Sequence, residues 1–183
     1  MLSRRQLLKT GVAGAAVLGL ARLGYGPIRP DPLFTVDGAP FKVLDAESRT
    51  ALAAIARVML KGALPRHGEE LHAALEKAVH GCDVAISGLP GTVQDEVKQL
   101  LTLLNGRVTR RWLVGVTTSW QEADDADIAH FLSRWRFSSL LLLRSGYQAL
   151  HQIIFAAWYG NPDAWAAIGY SGPPEFMKTY WNE

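Results

Sequence analysis

The chain has 183 residues, 20% charged and 49% hydrophobic, which is enough for one compact domain with a core of its own. Four of its 19 basic residues, Arg4, Arg5, Lys9 and Arg22, fall within the first 26 positions, which hold no acid, so the remainder carries 15 basic against 17 acidic residues. A near-neutral body without a Lys/Arg-rich run lacks the electrostatic footprint of nucleic-acid binding, and a single cysteine, Cys82, excludes an intramolecular disulfide, a Cys-x-x-Cys-His haem attachment and a multi-cysteine iron–sulfur cluster.

Residues 1–26 read as an export leader. Ser3, Arg4, Arg5, Gln6, Leu7, Leu8 and Lys9 follow the twin-arginine pattern, with Leu7 where phenylalanine is commonest. Gly11 to Ala21 is an apolar run of 11 residues, too short to cross a bilayer and suited to a signal core. A clean Ala-x-Ala cleavage site is absent, so both a cleaved leader and a retained anchor fit. The route predicted is export of an already folded protein to the periplasm.

Residues 27–43 contain Pro27, Pro30, Pro32, Pro40 and Gly38, which oppose helix and predict an extended arm. A helical domain spanning 44–183 follows. Asp45 is placed to cap a helix whose apolar positions Leu52, Ile55, Ala56, Met59 and Leu60 recur at three and four, and Gly62 and Pro65 end it. Gly68 to Ile86 repeats the pattern with the stripe Leu71, Leu75, Val79, Cys82 and Ile86. Thr92 and Asp95 have capping-box spacing for a third helix with Val93, Val97, Leu100, Leu101 and Leu104 inward, stopped at Asn105-Gly106.

Arg107 to Val116 suits a helix, although its valines would also suit a strand. Gln121 to Trp135 opens with Glu122, Asp124, Asp125 and Asp127, where negative charge favours a helix N-terminus. Phe137 to Tyr159 predicts the longest helix, and its all-round apolar segment Leu140 to Leu143 predicts a central, enclosed element. Gly160 is expected to end it in a left-handed conformation, with Asn161 as cap and Pro162 as first residue of a short turn. The whole predicts an all-α, single compact domain of about six or seven helices.

Chemistry-bearing patterns are sparse. His67, His72, His80, His130 and His151 form no metal-ligand frame, and His72 and His80 on one helix face lack a third partner. The aspartates at 124, 125 and 127 lack the glycine and terminal glutamate of a calcium loop. No nucleophile elbow, phosphate loop or dinucleotide fingerprint is present. Arg134, Arg136 and Arg144 can pair with the aspartate-rich turn or face a partner, and Cys82 on its apolar stripe reads as a small core residue. No catalytic, cofactor-binding or metal residue is therefore assigned.

The C-terminal segment is the most distinctive. Trp158, Tyr159, Trp165 and Tyr170 precede Gly172-Pro173-Pro174, and Phe176, Tyr180 and Trp181 follow in a tail without a helical pattern. These aromatics, with Pro173 and Pro174, are assigned to a partner interface, since large apolar side chains gather there; a tail folded onto its own domain fits equally.

The leader Ser3 to Lys9, the helix end Tyr159-Gly160-Asn161-Pro162 and the close Trp165…Ile168-Gly169-Tyr170-x-Gly172-Pro173-Pro174 resemble the gluconate 2-dehydrogenase subunit 3-like family, small twin-arginine-bearing subunits of periplasmic flavin dehydrogenases of the glucose-methanol-choline (GMC) type. The resemblance covers both ends of the chain. It implies a non-catalytic subunit that folds with a large FAD-bearing GMC-type flavoprotein and takes it through the twin-arginine translocase, electrons passing on to a cytochrome c subunit carrying haem c or to a membrane acceptor. The substrates it implies, sugars, sugar acids and alcohols, belong to the catalytic partner. Two other readings stand beside it: a free-standing exported helical enzyme or ligand-binding domain using polar residues near His130, Arg134 and His151, and a scaffold tethered by an uncleaved leader.

Overall fold

The computed structural model describes residues 40–172; the leader residues Ser3, Arg4, Arg5, Leu7, Leu8 and Lys9, most of the arm, and Pro173, Pro174, Phe176, Tyr180 and Trp181 lie outside them. Within that span the domain is all-α. Its helices are α1 (Ala46–Met59), α2 (Gly68–Ser87), α3 (Gly91–Asn105), the single turn α4 (Arg107–Thr109) running into a wide π turn (Arg110–Val114), α5 (Asp125–Arg136) and α6 (Leu141–Tyr159). Two 3₁₀ turns, Pro162–Ala164 and Ala166–Ile168, complete it.

The enclosed helix is α1. Asp45 caps it, its Oδ1 accepting the Ser48 N–H at 2.8 Å, and every residue from Ala51 to Ala56 is buried. Four of those six are alanines, which lose no side-chain entropy in a helix and let α2, α3, α5 and α6 all pack against it. The largest packed pair is α2 with α6. They close at Gly81, where an added Cβ would lie 3.0 Å from that of Ala157. The α2 stripe behaves as its spacing predicts: Leu75, Val79, Cys82 and Ile86 are buried and Leu71 is half-buried.

The segment before α1 is fixed to the bundle from Phe41 onward. Asp83 on α2, only 1% exposed, accepts the N–H groups of Lys42 at 2.8 Å, Val43 at 2.9 Å and Leu44 at 2.9 Å. Phe41 lies edge-on to His80 at 5.5 Å, under the Arg49 guanidinium at 4.6 Å. Burial by itself would raise the Asp83 carboxyl pKa, but the three backbone donors, with His80 nearby, outweigh it and hold the group below its ordinary value.

On the opposite side the core is aromatic. Trp120 meets Phe131 at 6.1 Å and Phe131 meets Trp135 at 5.3 Å, both edge-to-face, the arrangement the ring quadrupoles favour. The Trp135 indole N–H reaches the Leu113 carbonyl at 3.4 Å, tying α5 to the π turn. Gly115 ends that turn with φ +84°, a conformation that suits glycine.

Several expectations are corrected. No side chain caps α3, whose N-cap is Pro90, so the Thr92/Asp95 capping pair does not form; Val93 is exposed at 36%. Residues 121–124 precede α5 as a turn held by Ser119 Oγ on Glu122 at 2.9 Å. The long helix starts at Leu141 rather than Phe137, because the chain turns a corner at Ser138: its hydroxyl accepts the Leu140 N–H and its carbonyl accepts from Arg144. Leu140, Leu141 and Leu142 are therefore at an outer tip, 61%, 70% and 73% exposed, and not enclosed. Gly160 ends α6 in the right-handed region (φ −70°).

Candidate interaction surfaces

The titratable side chains named from the sequence do not converge. His72 and His130 are exposed, His80 is occupied by Phe41, and among the described residues no group of three His, Cys, Asp or Glu side chains comes together. Cys82 is buried against the Ile153 carbonyl, and burial, with the Asp83 charge beside it, pushes its thiol up to about 12. A thiol so rarely ionised is a core group rather than a nucleophile.

The arginines do not pair with the aspartate-rich turn as the sequence suggests. Asp125 takes Arg57 instead, at 2.8 Å, and Arg57 also donates to the Ala123 carbonyl at 2.9 Å, so α1 braces the start of α5. Arg134 donates to the Leu113 carbonyl at 2.7 Å, Arg144 to the Ser138 carbonyl at 2.6 Å, and Arg136 lies over the Phe137 and Tyr147 rings at 5.2 and 5.9 Å. These contacts are to carbonyls and ring faces, and among the described residues none of these three arginines forms an ion pair with a carboxylate.

The aromatic corner at the C-terminal end of α6 is built by local chemistry. Asn161 caps the first 3₁₀ turn through the Asp163 N–H at 3.0 Å, with Pro162 at its first position, and Asp163 bonds Lys77 at 2.6 Å. The Trp165 indole donates to the Tyr159 carbonyl at 2.8 Å and meets Tyr170 edge-on at 5.2 Å. Gly169 (φ +69°) and Gly172 (φ +93°) reverse the chain there, and a Cβ on Gly172 would stand 2.9 Å from the Trp165 ring. Of the residues assigned to an interface, Tyr159 and Trp165 are half-buried and Tyr170 is exposed, with Ile168 beside it. Trp158 is not on a surface: it is 7% exposed, on the buried stripe with Leu150 and Ile154, and is reassigned to the core.

A second feature went unread in the sequence. Tyr147, His151, Phe155 and Tyr159 recur every four residues along α6 and stack consecutively at 5.9, 4.1 and 5.7 Å, all half-buried. Residues at i and i+4 share a helix face, so their spacing carried the signal. The Trp165 indole donates to the Tyr159 carbonyl, so the last rung and the Trp165–Tyr170 corner are tied through the backbone into one aromatic strip.

A third surface lies at the other end of α6. Phe137, three residues before the leucine tip, and Trp112, on the π turn tied to the end of α5 through Leu113, are 75% and 80% exposed. No family model, curated protein or solved structure matches the chain, so the resemblance drawn above rests on the residues quoted for it.

Proposed function

We propose that the chain is the small, non-catalytic subunit of an exported flavin dehydrogenase complex, acting by contact with a larger GMC-type flavoprotein and carrying it through the twin-arginine route. The observation that carries this reading is the aromatic strip made by the half-buried rings of Tyr147, His151, Phe155 and Tyr159 with the Trp165–Tyr170 corner, which leads in the sequence to Pro173-Pro174. Such rings lose little conformational entropy on docking and bury large area, which is why they anchor interfaces. The leader and the terminal motif supply the rest of the argument. FAD then resides in the partner, with haem c or a membrane acceptor beyond it.

The test is purification of the tagged full-length chain from its own host. A larger, FAD-bearing polypeptide with dehydrogenase activity on a sugar, sugar acid or alcohol is expected to accompany it. Replacing one anchor, as in Phe155→Glu or the more exposed Tyr170→Glu, is expected to weaken that association roughly thirtyfold, the effect of losing about 2 kcal/mol. A chain that purifies alone, flavin-free and stable contradicts the proposal.

A further inference from the structure

We propose that the tip formed by Trp112, Phe137 and Leu140–Leu142 rests on an anionic lipid surface. These five side chains are between 61% and 80% exposed. The Leu113 carbonyl accepts from both Arg134 and Trp135, which seats the turn bearing Trp112 on the last turn of α5, beside Phe137. Ser138 then folds the chain back, and the three leucines emerge at the start of α6.

Their form favours lipid over a protein groove. Leu140 stands in extended backbone just before α6, and successive residues on the helix point about 100° apart, so the three leucines splay in different directions and make a blunt knob rather than a stripe. A partner helix or groove covers one stripe; hydrocarbon wets a knob on all sides. Exposed tryptophan and phenylalanine beside it match the composition of membrane-interface anchors.

The charges that flank the knob along the chain are of one sign. Arg111, Arg134 and Arg136 are exposed and Arg144 half-buried, and no acidic residue occurs from 97 to 121 or from 128 to 162. The acids of α5 sit in its first turn, with Arg134 and Arg136 in its last. Arginine stems can lie along the apolar tip while their guanidinium groups meet lipid phosphates. Among the described residues no helix is long and apolar enough to cross a membrane, and contact of this kind does not need one. The knob and the Trp165–Tyr170 corner lie at opposite ends of α6, roughly 27 Å apart at 1.5 Å per residue, so lipid at the knob and a partner at that corner do not compete for surface.

The test uses the full chain with one fluorophore. Cys82 is buried with a thiol pushed up to about 12, so a cysteine placed by Leu141→Cys, or by Glu69→Cys at an exposed position in the first turn of α2 as control, is labelled selectively with an environment-sensitive dye. The probes are vesicles of phosphatidylcholine, alone or with phosphatidylglycerol, carrying a quencher on the acyl chain. Expected are severalfold stronger quenching at 141 than at 69, dependence on phosphatidylglycerol, roughly fivefold weaker binding in Arg136→Gln, and loss of the quenching contrast in Leu142→Asp. Because both labelled chains carry the same leader, equal quenching at the two positions while the chain sediments with vesicles overturns the proposal. So does absence of vesicle binding, or a concentration-dependent blue shift at 141 without lipid, which would mean that a second copy covers the knob.

Discussion

Replacement of Asp83 by alanine is expected to lower stability by about 3 kcal/mol or more, because it orphans three backbone donors at once. Each buried donor left unpaired costs about 1–3 kcal/mol. The Leu44 bond is buried, and those of Lys42 and Val43 partly so, which keeps the sum at the lower end of that range. Phe41 and Val43 would also lose their anchorage on the core. For a domain of this size the midpoint of thermal unfolding should fall by about 10 °C. The carboxylate also sets a pH dependence. Its folded pKa lies below the unfolded value of about 3.9, so its contribution is complete well above pH 4 and is lost as pH falls through the folded pKa. Denaturant titrations at neutral and acid pH should show wild type losing more stability on acidification than Asp83→Asn; parallel losses would remove Asp83 from that role.

Gly146→Ala is expected to destabilise despite placing a better helix former in the middle of α6. Alanine gains up to about 1 kcal/mol over glycine in a helix interior. Here, however, the added Cβ would lie 2.7 Å from Trp135 Cζ3, 3.1 Å from its Cε3 and 3.3 Å from Leu100 Cδ1. Trp135 cannot give way, being 1% exposed, wedged against Phe131 and bonded to Leu113. Overpacking of this kind costs about 1–3 kcal/mol, so overpacking wins, and Gly146→Val should be worse. Equilibrium unfolding checks it; an alanine variant more stable than wild type would show that α5 and α6 slide apart freely.

The helices were legible because their apolar residues recur at three and four, and the Asp45 and Asn161 caps because a short polar side chain stands before each turn. The leucine tip was misread for a physical reason. A segment apolar on every side is normally enclosed, and only the corner made by Ser138 with Arg144 shows that this one is not. Trp158 was assigned to a surface on its residue type, although its place four residues after Ile154 and eight after Leu150 puts it on the buried stripe, one position from the half-buried Tyr159 rung. The Asp83 clamp and the Arg57–Asp125 brace join residues about 40 and 68 positions apart, which no local pattern reveals. The contacts of Arg134 with Leu113 and of Arg136 with Tyr147 are likewise made by the fold, joining residues 21 and 11 positions apart.

The most direct test of the accessory-subunit proposal is co-export. Arg4→Lys together with Arg5→Lys, made at the native locus, should retain both this chain and a leaderless flavoprotein in the cytoplasm, with dehydrogenase activity disappearing from the periplasmic and membrane fractions. Continued export of the flavoprotein while this chain stays behind would contradict the account.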